Sequence, residues 1–563
     1  MADHATMSGN MFDRTVRTNK FDTGGAIMPL PLNLIALIIS YLDSPGDLSR
    51  MCRTCRVFHY MTLPQLYTTV SLRSYDYIRY CGRERRSQGC GMASPFAMGL
   101  NGLVSRNVAG YVRDFKVTGI WKEHDVEEYW KAGRVADDNM MLNTLVRVAV
   151  ERMAVIDGFS WDMNIKMLPT VWQGLAQKQT LTKLIIRFPS NRHPRPVAVA
   201  PAIPNLQFLK LIDLDPLCYM DDISVLLADS KKLQDLKLHW NPRIRENREP
   251  SVNGYTYFGK LTSPMRLRSL AVVNLYTNHA SDCKREPIFD RNTLEEVTFL
   301  NSTSGLGDNG GSEFMDGGYR KADGELPPSL KMMRLDKVSH EQCDFLGRLH
   351  GLERLYLIGP HVQARRNIKD SATNNTLLPR SPASSTSSPG SPDINAACTL
   401  KDSYLQTITK SHGATLRHLL LLPQWRLTDD DIALIFRQCP NLEQLGIGAD
   451  FSNFKNLRLM VPFLSKLTVL RLLSNPDDPT FLNQMREMDE RGVHEQKIGE
   501  ETRNREWSKL RYMELGGDDL IFEIGRREEW EREGKTGWKR PVRKRGLDVV
   551  GEMDIWKMDS MDI

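Results

Sequence analysis

Cysteine is sparse in this 563-residue chain: there are nine, an odd number at irregular spacings. That excludes a dense disulfide framework and points to a reducing compartment, cytoplasmic or nuclear. A long unbroken apolar run is lacking as well. The greasiest stretch, Met28 to Leu42, is interrupted by Pro29, Pro31 and Asn33 and falls short of the roughly 20 apolar residues that span a bilayer. Arg14, Arg17 and Lys20 lie upstream, but no convincing small-residue cleavage site accompanies them, so neither a membrane anchor nor a secretory signal is expected. Charge of one sign is also in short supply. A net charge of +6 is spread too thinly for a nucleic-acid footprint.

Constellations that carry chemistry are equally scarce. The run GLGDNG at Gly305 to Gly310 has the glycine spacing of a dinucleotide-binding turn. The Gly-rich, polar Ser312 to Gly324 that follows cannot supply the helix N-terminus such a turn needs. Cys52 and Cys55 form a C-x-x-C without a second pair at zinc spacing, and read as packing residues on an apolar helical face. His239 closes a strand pattern with no ligand partner at metal spacing, and reads as a surface histidine. Nucleophile elbow, phosphate-binding loop and His-Glu metalloprotease motifs are missing. No cofactor, metal or catalytic residue is therefore expected, and the chain reads as non-enzymatic.

What is there is pattern. In Met28 to Met61, Leu34, Ile35, Ile38, Ile39 and Leu42 recur at helical spacing. A break at Asp43-Ser44-Pro45-Gly46 leads to a second short pattern, Leu48, Met51, Cys52 and Cys55, then a third, Val57, Phe58 and Met61. Three small helices in about 35 residues bury little surface alone. A docking module that completes its core on another protein is the expectation.

The runs LPLNLIALIISYL, DLSRMCRTCRVFHYM and LPQLYTTVSL resemble an F-box, with Asn33 where that family often has an acidic residue. F-boxes tie substrate adaptors of Skp–cullin–F-box ubiquitin ligases to the Skp linker protein. The resemblance implies that Leu30, Pro31, Leu34, Ile35, Ile38, Ile39 and Leu42, with Leu48, Cys52 and Phe58, contact the Skp linker or support that contact.

Internal similarity supplies the rest of the architecture. An apolar-x-x-apolar-x-apolar pattern begins at Leu181, Leu206, Leu233, Leu267, Leu294, Leu330, Leu352, Leu416, Leu442, Leu467 and Leu510, with a weaker copy at Tyr111. Several steps are roughly 25–27 residues, within the range of a leucine-rich repeat. Each copy reads as a short strand with leucines inward and variable residues outward. Between strands, Thr428 with Asp431 and Ser339 with Gln342 read as helix starts. LTDDDIALIFRQCPNLEQLGI, residues 427–447, resembles the cysteine-containing leucine-rich repeat of many F-box proteins, with Cys439 as a small packing residue.

The expected fold is therefore α/β: a three-helix F-box followed by a leucine-rich-repeat solenoid, a horseshoe whose parallel sheet is lined by outer helices. Expected boundaries are a flexible leader at 1–27, the F-box at 28–72, a linker at 73–110, the solenoid at 111–518, and a charged tail or cap at 519–563. Two insertions, at about 301–326 and 365–397, are too polar to stay ordered. Ser381, Ser388 and Ser391 precede prolines in the second and are candidate phosphorylation sites. Basic residues from Lys539 to Arg545 read as a nuclear import signal or a solvated end of the solenoid.

If the leucines face inward, the outward column carries Lys183, Arg187, Phe208, Lys210, Lys237, His239, Arg334, Arg354, Tyr356, His418, Arg471 and Tyr512 as candidate substrate contacts. The expected function is a substrate-recognition adaptor. Its partners would be the Skp linker, through it a cullin, and a target protein, with neither membrane nor nucleic acid. The alternative is a repeat scaffold acting outside ubiquitin ligases.

Overall fold

The computed structural model describes residues 31–81, 86–87, 94–121, 137–189, 201–215, 218–241, 257–258, 260–277, 288–290, 292–301, 303–304, 328–359, 394–448, 463–475, 480–502, 509–517, 519–526, 528–532, 535–560 and 563. They belong to two compact units, Met1–Thr68 and Thr69–Ile563. Leu30, the GLGDNG run, Ser381, Ser388, Ser391 and most of the two expected insertions lie outside the described residues.

The first unit is three helices, α1 (Leu32–Ser40), α2 (Pro45–Cys52) and α3 (Arg56–Tyr67). Ser44 caps α2 by accepting from the Asp47 amide, with Pro45 at the first helical position, where its missing N–H costs nothing. Cys55 caps α3, accepting from the Phe58 amide at 3.5 Å, and is exposed. The C-x-x-C pair is thus split: Cys52 packs inside and Cys55 starts a helix. Gln65 donates to the Leu42 carbonyl at 2.9 Å, tying α3 to the residue just past α1.

The second unit is built on a 16-stranded sheet among the described residues. In chain order its strands are β1 (Thr69–Ser74), β2 (Asp114–Gly119), β3 (Gly158–Met163), β4 (Lys183–Arg187), β5 (Phe208–Leu214), β6 (Asp235–Trp240), β7 (Ser269–Val273) and β8 (Glu296–Leu300). They continue as β9 (Met332–Leu335), β10 (Arg354–Leu357), β11 (His418–Leu420), β12 (Gln444–Gly448), β13 (Val469–Leu473), β14 (Tyr512–Gly516), β15 (Ile521–Ile524) and β16 (Val542–Arg545). Spatial order equals chain order. Neighbours pair parallel from β1 to β14, and only the last two pairings, β14 with β15 and β15 with β16, are antiparallel.

Every apolar-x-x-apolar-x-apolar copy found in the sequence contains one of these strands. The first leucine of each copy, such as Leu181, Leu206, Leu442 and Leu467, is buried, as are the alternate strand residues on the same side, such as Leu184, Ile186, Leu236 and Leu238. They share one apolar core with the helices between strands. In that layer α4 (Asp137–Arg152) packs on α5 (Pro169–Ala176), while α6 (His340–Arg348) and α7 (Ile394–His412) pack in turn, with α8 (Asp429–Gln438) beside α7. Thr428 and Asp431 form the expected capping box on α8, and Ser339 caps α6 by accepting from the Gln342 amide. Cys439 is buried, and burial pushes its thiol up to about 12, so it packs and does not react.

Two strands near the start of the sheet lie outside the copies found in the sequence. β3 reads GFSWDM, with Phe159 and Trp161 filling the inward places, and β1 begins at Thr69, within the stretch expected to belong to the helical module. The charged segment from 519 onward supplies β15, β16 and two short helices, α9 (Leu547–Val550) and α10 (Asp554–Lys557).

Candidate functional site

Two surfaces are candidates, one on each unit. On α1, the apolar residues form two stripes where the sequence suggested one wide face. Ile39 is 2% exposed, and Ile35 and Leu42 are half-buried; these line the inner side. Leu34, Leu37, Ile38 and Tyr41, at i, i+3, i+4 and i+7, are 43%, 52%, 49% and 76% exposed and make a stripe along the outer side. Leu32 and Pro31 are exposed at its start.

The expected Skp-contact residues therefore divide. Pro31, Leu34 and Ile38 face solvent, whereas Ile39, Leu48 and Cys52 are buried and can only support, with Ile35, Leu42 and Phe58 between. Leu37 and Tyr41 were overlooked, although their spacing from Leu34 was readable. Cys52 lies 3.1 Å from His59 Nδ1, which links α2 to α3; burial raises the Cys52 thiol, so the pair is structural and not an activated nucleophile.

The other surface is the sheet face opposite the helices. Along β4, β5 and β6 it alternates as expected: Lys183, Ile185, Arg187, Phe208, Lys210, Asp235, Lys237 and His239 are half-buried there. His239 is not a free surface histidine. It sits in a polar ladder at the strand ends, where its Nε2 is 3.2 Å from Asn274 Nδ2 and its Nδ1 is 3.7 Å from Asp213 Oδ1. Arg187 continues the ladder, donating to Asp162 at 2.6 Å and to Asp213, while Asn301 donates to Asn274 at 2.7 Å. Asp213, Asn274 and Asn301 adopt left-handed backbone at φ 59°, 59° and 48°, a conformation that Asp and Asn tolerate best after glycine.

From β9 to β14 the same face is covered. Arg334, Tyr356, His418 and Arg471 lie on it as the alternation requires, but all are buried. The cover is the chain's own segment from Leu547 onward. Val550, Ile555 and Trp556 pack with Met332, Tyr356, Leu420, Val469, Leu473 and Ile521 into a second apolar core on this side.

Charged groups anchor the cover. Arg471 donates to Glu514 at 2.7 Å, to Asp559 at 2.9 Å and to the Ile555 carbonyl at 2.8 Å, and its guanidinium lies 5.3 Å from the Trp556 ring. The Trp556 indole N–H donates to Glu514 at 2.6 Å. Arg334 donates to the carbonyls of Met558 and Ser560, and Lys210 to that of Ile563. Arg354 is shared between Glu296 at 2.6 Å and Asp554 at 3.8 Å. Tyr512 is half-buried against the second core.

Among the expected substrate contacts, then, Lys183, Arg187, Phe208 and Lys237 lie outside the second apolar core, while Lys210 holds the end of the tail. Arg334, Tyr356 and Arg471 instead hold the chain's own tail. The reason is burial: the apolar residues of 547–558 have nowhere else to go.

Residues 28–73 match the F-box-like family model. The match spans α1 to α3 and reaches into β1, so the exposed stripe belongs to an F-box-like domain. No curated protein matches the chain. Among the described residues no helix is long and apolar enough to cross a membrane, and no group of three or more His, Cys, Asp or Glu is placed to hold a metal ion.

Proposed function

We propose that this protein is a substrate-recognition adaptor of a Skp–cullin–F-box ubiquitin ligase, non-catalytic and working in the cytoplasm or nucleus. F-box domains in general bind the Skp linker and through it a cullin. The observation that carries the reading is the exposed stripe of Leu34, Leu37, Ile38 and Tyr41 within a segment that matches the F-box-like model. Fully burying one Leu or Ile side chain is worth about 1.5–3 kcal/mol. A stripe of four therefore offers a partner several kcal/mol that the isolated helices forgo.

The sheet unit is, in this reading, a leucine-rich-repeat solenoid that holds a target protein while a ubiquitin-loaded enzyme bound elsewhere does the chemistry. The chain's contribution to rate is proximity. Its support is the recurring motif, one parallel strand per copy, with the helices between strands sharing the apolar core on one side of the sheet.

Co-purification with the Skp linker tests the docking half. The wild type is expected to retain the linker and Leu34→Asp/Ile38→Asp to lose it, with melting little changed because both side chains are exposed. Equal retention by both, or none by either, defeats the assignment. If the linker binds but the turnover of captured partners is the same with and without the F-box-like domain, the sheet is a scaffold outside ubiquitin ligases.

A further inference from the structure

The strands of the large sheet pair with their immediate neighbours in chain order. An array joined only in that way has a stability close to a sum over units and their shared borders, so one end can open while the other stays closed. The segment after β16 departs from that rule by turning back across the face. The Ile555 N–H donates to Gln444 Oε1 of β12 at 3.0 Å, and Asp554 lies 3.8 Å from Arg354 of β10. The Met558 carbonyl accepts from Arg334 of β9 at 2.8 Å, and the Ile563 carbonyl accepts from Lys210 of β5. Ile563 also packs with Val273 of β7 and Leu300 of β8, whereas Trp556 shares its core with Ile521 of β15. One short stretch thus holds strands at both ends of the array, across as many as 353 positions of sequence.

The two ends of this stretch are held by different means. Towards β13 and β14 the hold is deep: Trp556 is buried, its indole N–H donates to Glu514, and Arg471 grips the Ile555 carbonyl and the Asp559 carboxylate. Towards β5 to β8 it is one apolar side chain and one carbonyl, both of Ile563. So light a contact persists because the deep hold keeps Ile563 at high local concentration over β5 to β8. Opening of β13 and β14 frees Trp556, and the contacts of Ile563 lose that advantage.

We propose that residues 547–563 act as a strap that couples the two ends of the array, so that β5 to β15 open as one cooperative unit in place of a row of independently opening repeats. The inference concerns the sheet unit alone and stands apart from the adaptor reading.

Hydrogen exchange of the full-length chain, followed by mass spectrometry at increasing urea, tests this. In the wild type the slowest amides of β5, β7 and β8 are expected to share one opening free energy with those of β13 and β14. Trp556→Ala should speed exchange in β5, β7 and β8 by about tenfold or more, although Trp556 belongs to the cluster on β9 to β15. A rise confined to β9 to β15, or a wild type in which β5 to β8 already opens as a separate step, overturns the proposal. Should Trp556→Ala not fold, Ile563→Gly removes only the light hold. There β5 to β8 should open more readily than β13 and β14, which keep their protection, and continued opening of all of them together overturns the strap.

Discussion

The helical unit and the far end of the sheet unit are built on opposite rules. Around α1, apolar side chains stand in water: Leu34, Leu37, Ile38 and Tyr41 are all exposed. Between β9 and β14, charges lie under an apolar cover: Arg334, Arg471, Glu514 and Asp559 are all buried. The contrast shows two ways of completing an unfinished surface. The sheet carries its cover on the same polypeptide, so its arginines can be matched residue by residue to Asp559 and to the carbonyls of Met558 and Ser560. Among the described residues nothing covers the helical stripe, and an exposed apolar stripe of this kind marks an interaction site.

The sharpest way to break the contrast is to remove the central cation. Arg471→Met takes the guanidinium away from the buried carboxylates of Glu514 and Asp559, and should cost about 3–5 kcal/mol, read as a lower urea midpoint and as protease access to the chain beyond Leu547. Converting all three to apolar residues, Arg471→Met/Glu514→Leu/Asp559→Leu, should recover most of the loss, because desolvation of the ion pairs disappears with them. If Arg471→Met melts like wild type, the cover is not held by charge.

Acid should act next on the covered region. Burial lowers the His418 pKa from its ordinary 6.5 to about 4, with Asp554 opposing, and its Nδ1 lies 2.8 Å from the Tyr356 hydroxyl. The unfolded chain binds the proton more readily than the folded one. The stability contributed by neutral His418 is therefore complete above pH 6.5 and is lost as pH falls from about 6.5 towards 4. Between pH 7 and 5 the loss should be about 2 kcal/mol. His418→Asn should flatten that part of the stability profile, and an unchanged slope would remove His418 as the cause.

The smallest stability effect belongs to the helical unit. Leu37→Asp should shift the urea midpoint by the equivalent of about 0.5 kcal/mol or less, since the side chain is already solvated. The same substitution should abolish linker capture. A large loss of stability would mean that the stripe packs within the chain and is not free for a partner.

The strands were legible because apolar residues at the inward positions, most often leucine, leave a periodic mark that local sequence carries whole. β3 lacks only the opening leucine, with Ile156, Phe159 and Trp161 in its three inward places, and β15 and β16 escaped because their antiparallel pairing at the end of the sheet does not continue the repeat. On α1 the residues were legible but their sidedness was not. A helix apolar almost all round gives no contrast from which to separate Ile39 from Ile38, and only packing against α3 does so. The cover was illegible for a different reason. It pairs residues such as Arg334 and Met558 that are 224 positions apart, and the one local sign was Ile555-Trp556 set in an acidic tail. The candidate contacts Arg334, Tyr356 and Arg471 were placed on the right face, but that face was already taken.

That separation also sets a clock. At roughly 5–20 residues per second, Arg334 is synthesised on the order of 10–45 seconds before Met558. Throughout that interval β9 to β13 emerge on the nascent chain with one side uncovered. Met332, Tyr356, Leu420 and Val469 on that side would invite other chains to pair or stick. Arg334 and Arg471, set among them, keep the side hydrated until its cover is made. The buried arginines thus work as gatekeepers during synthesis before they serve as anchors.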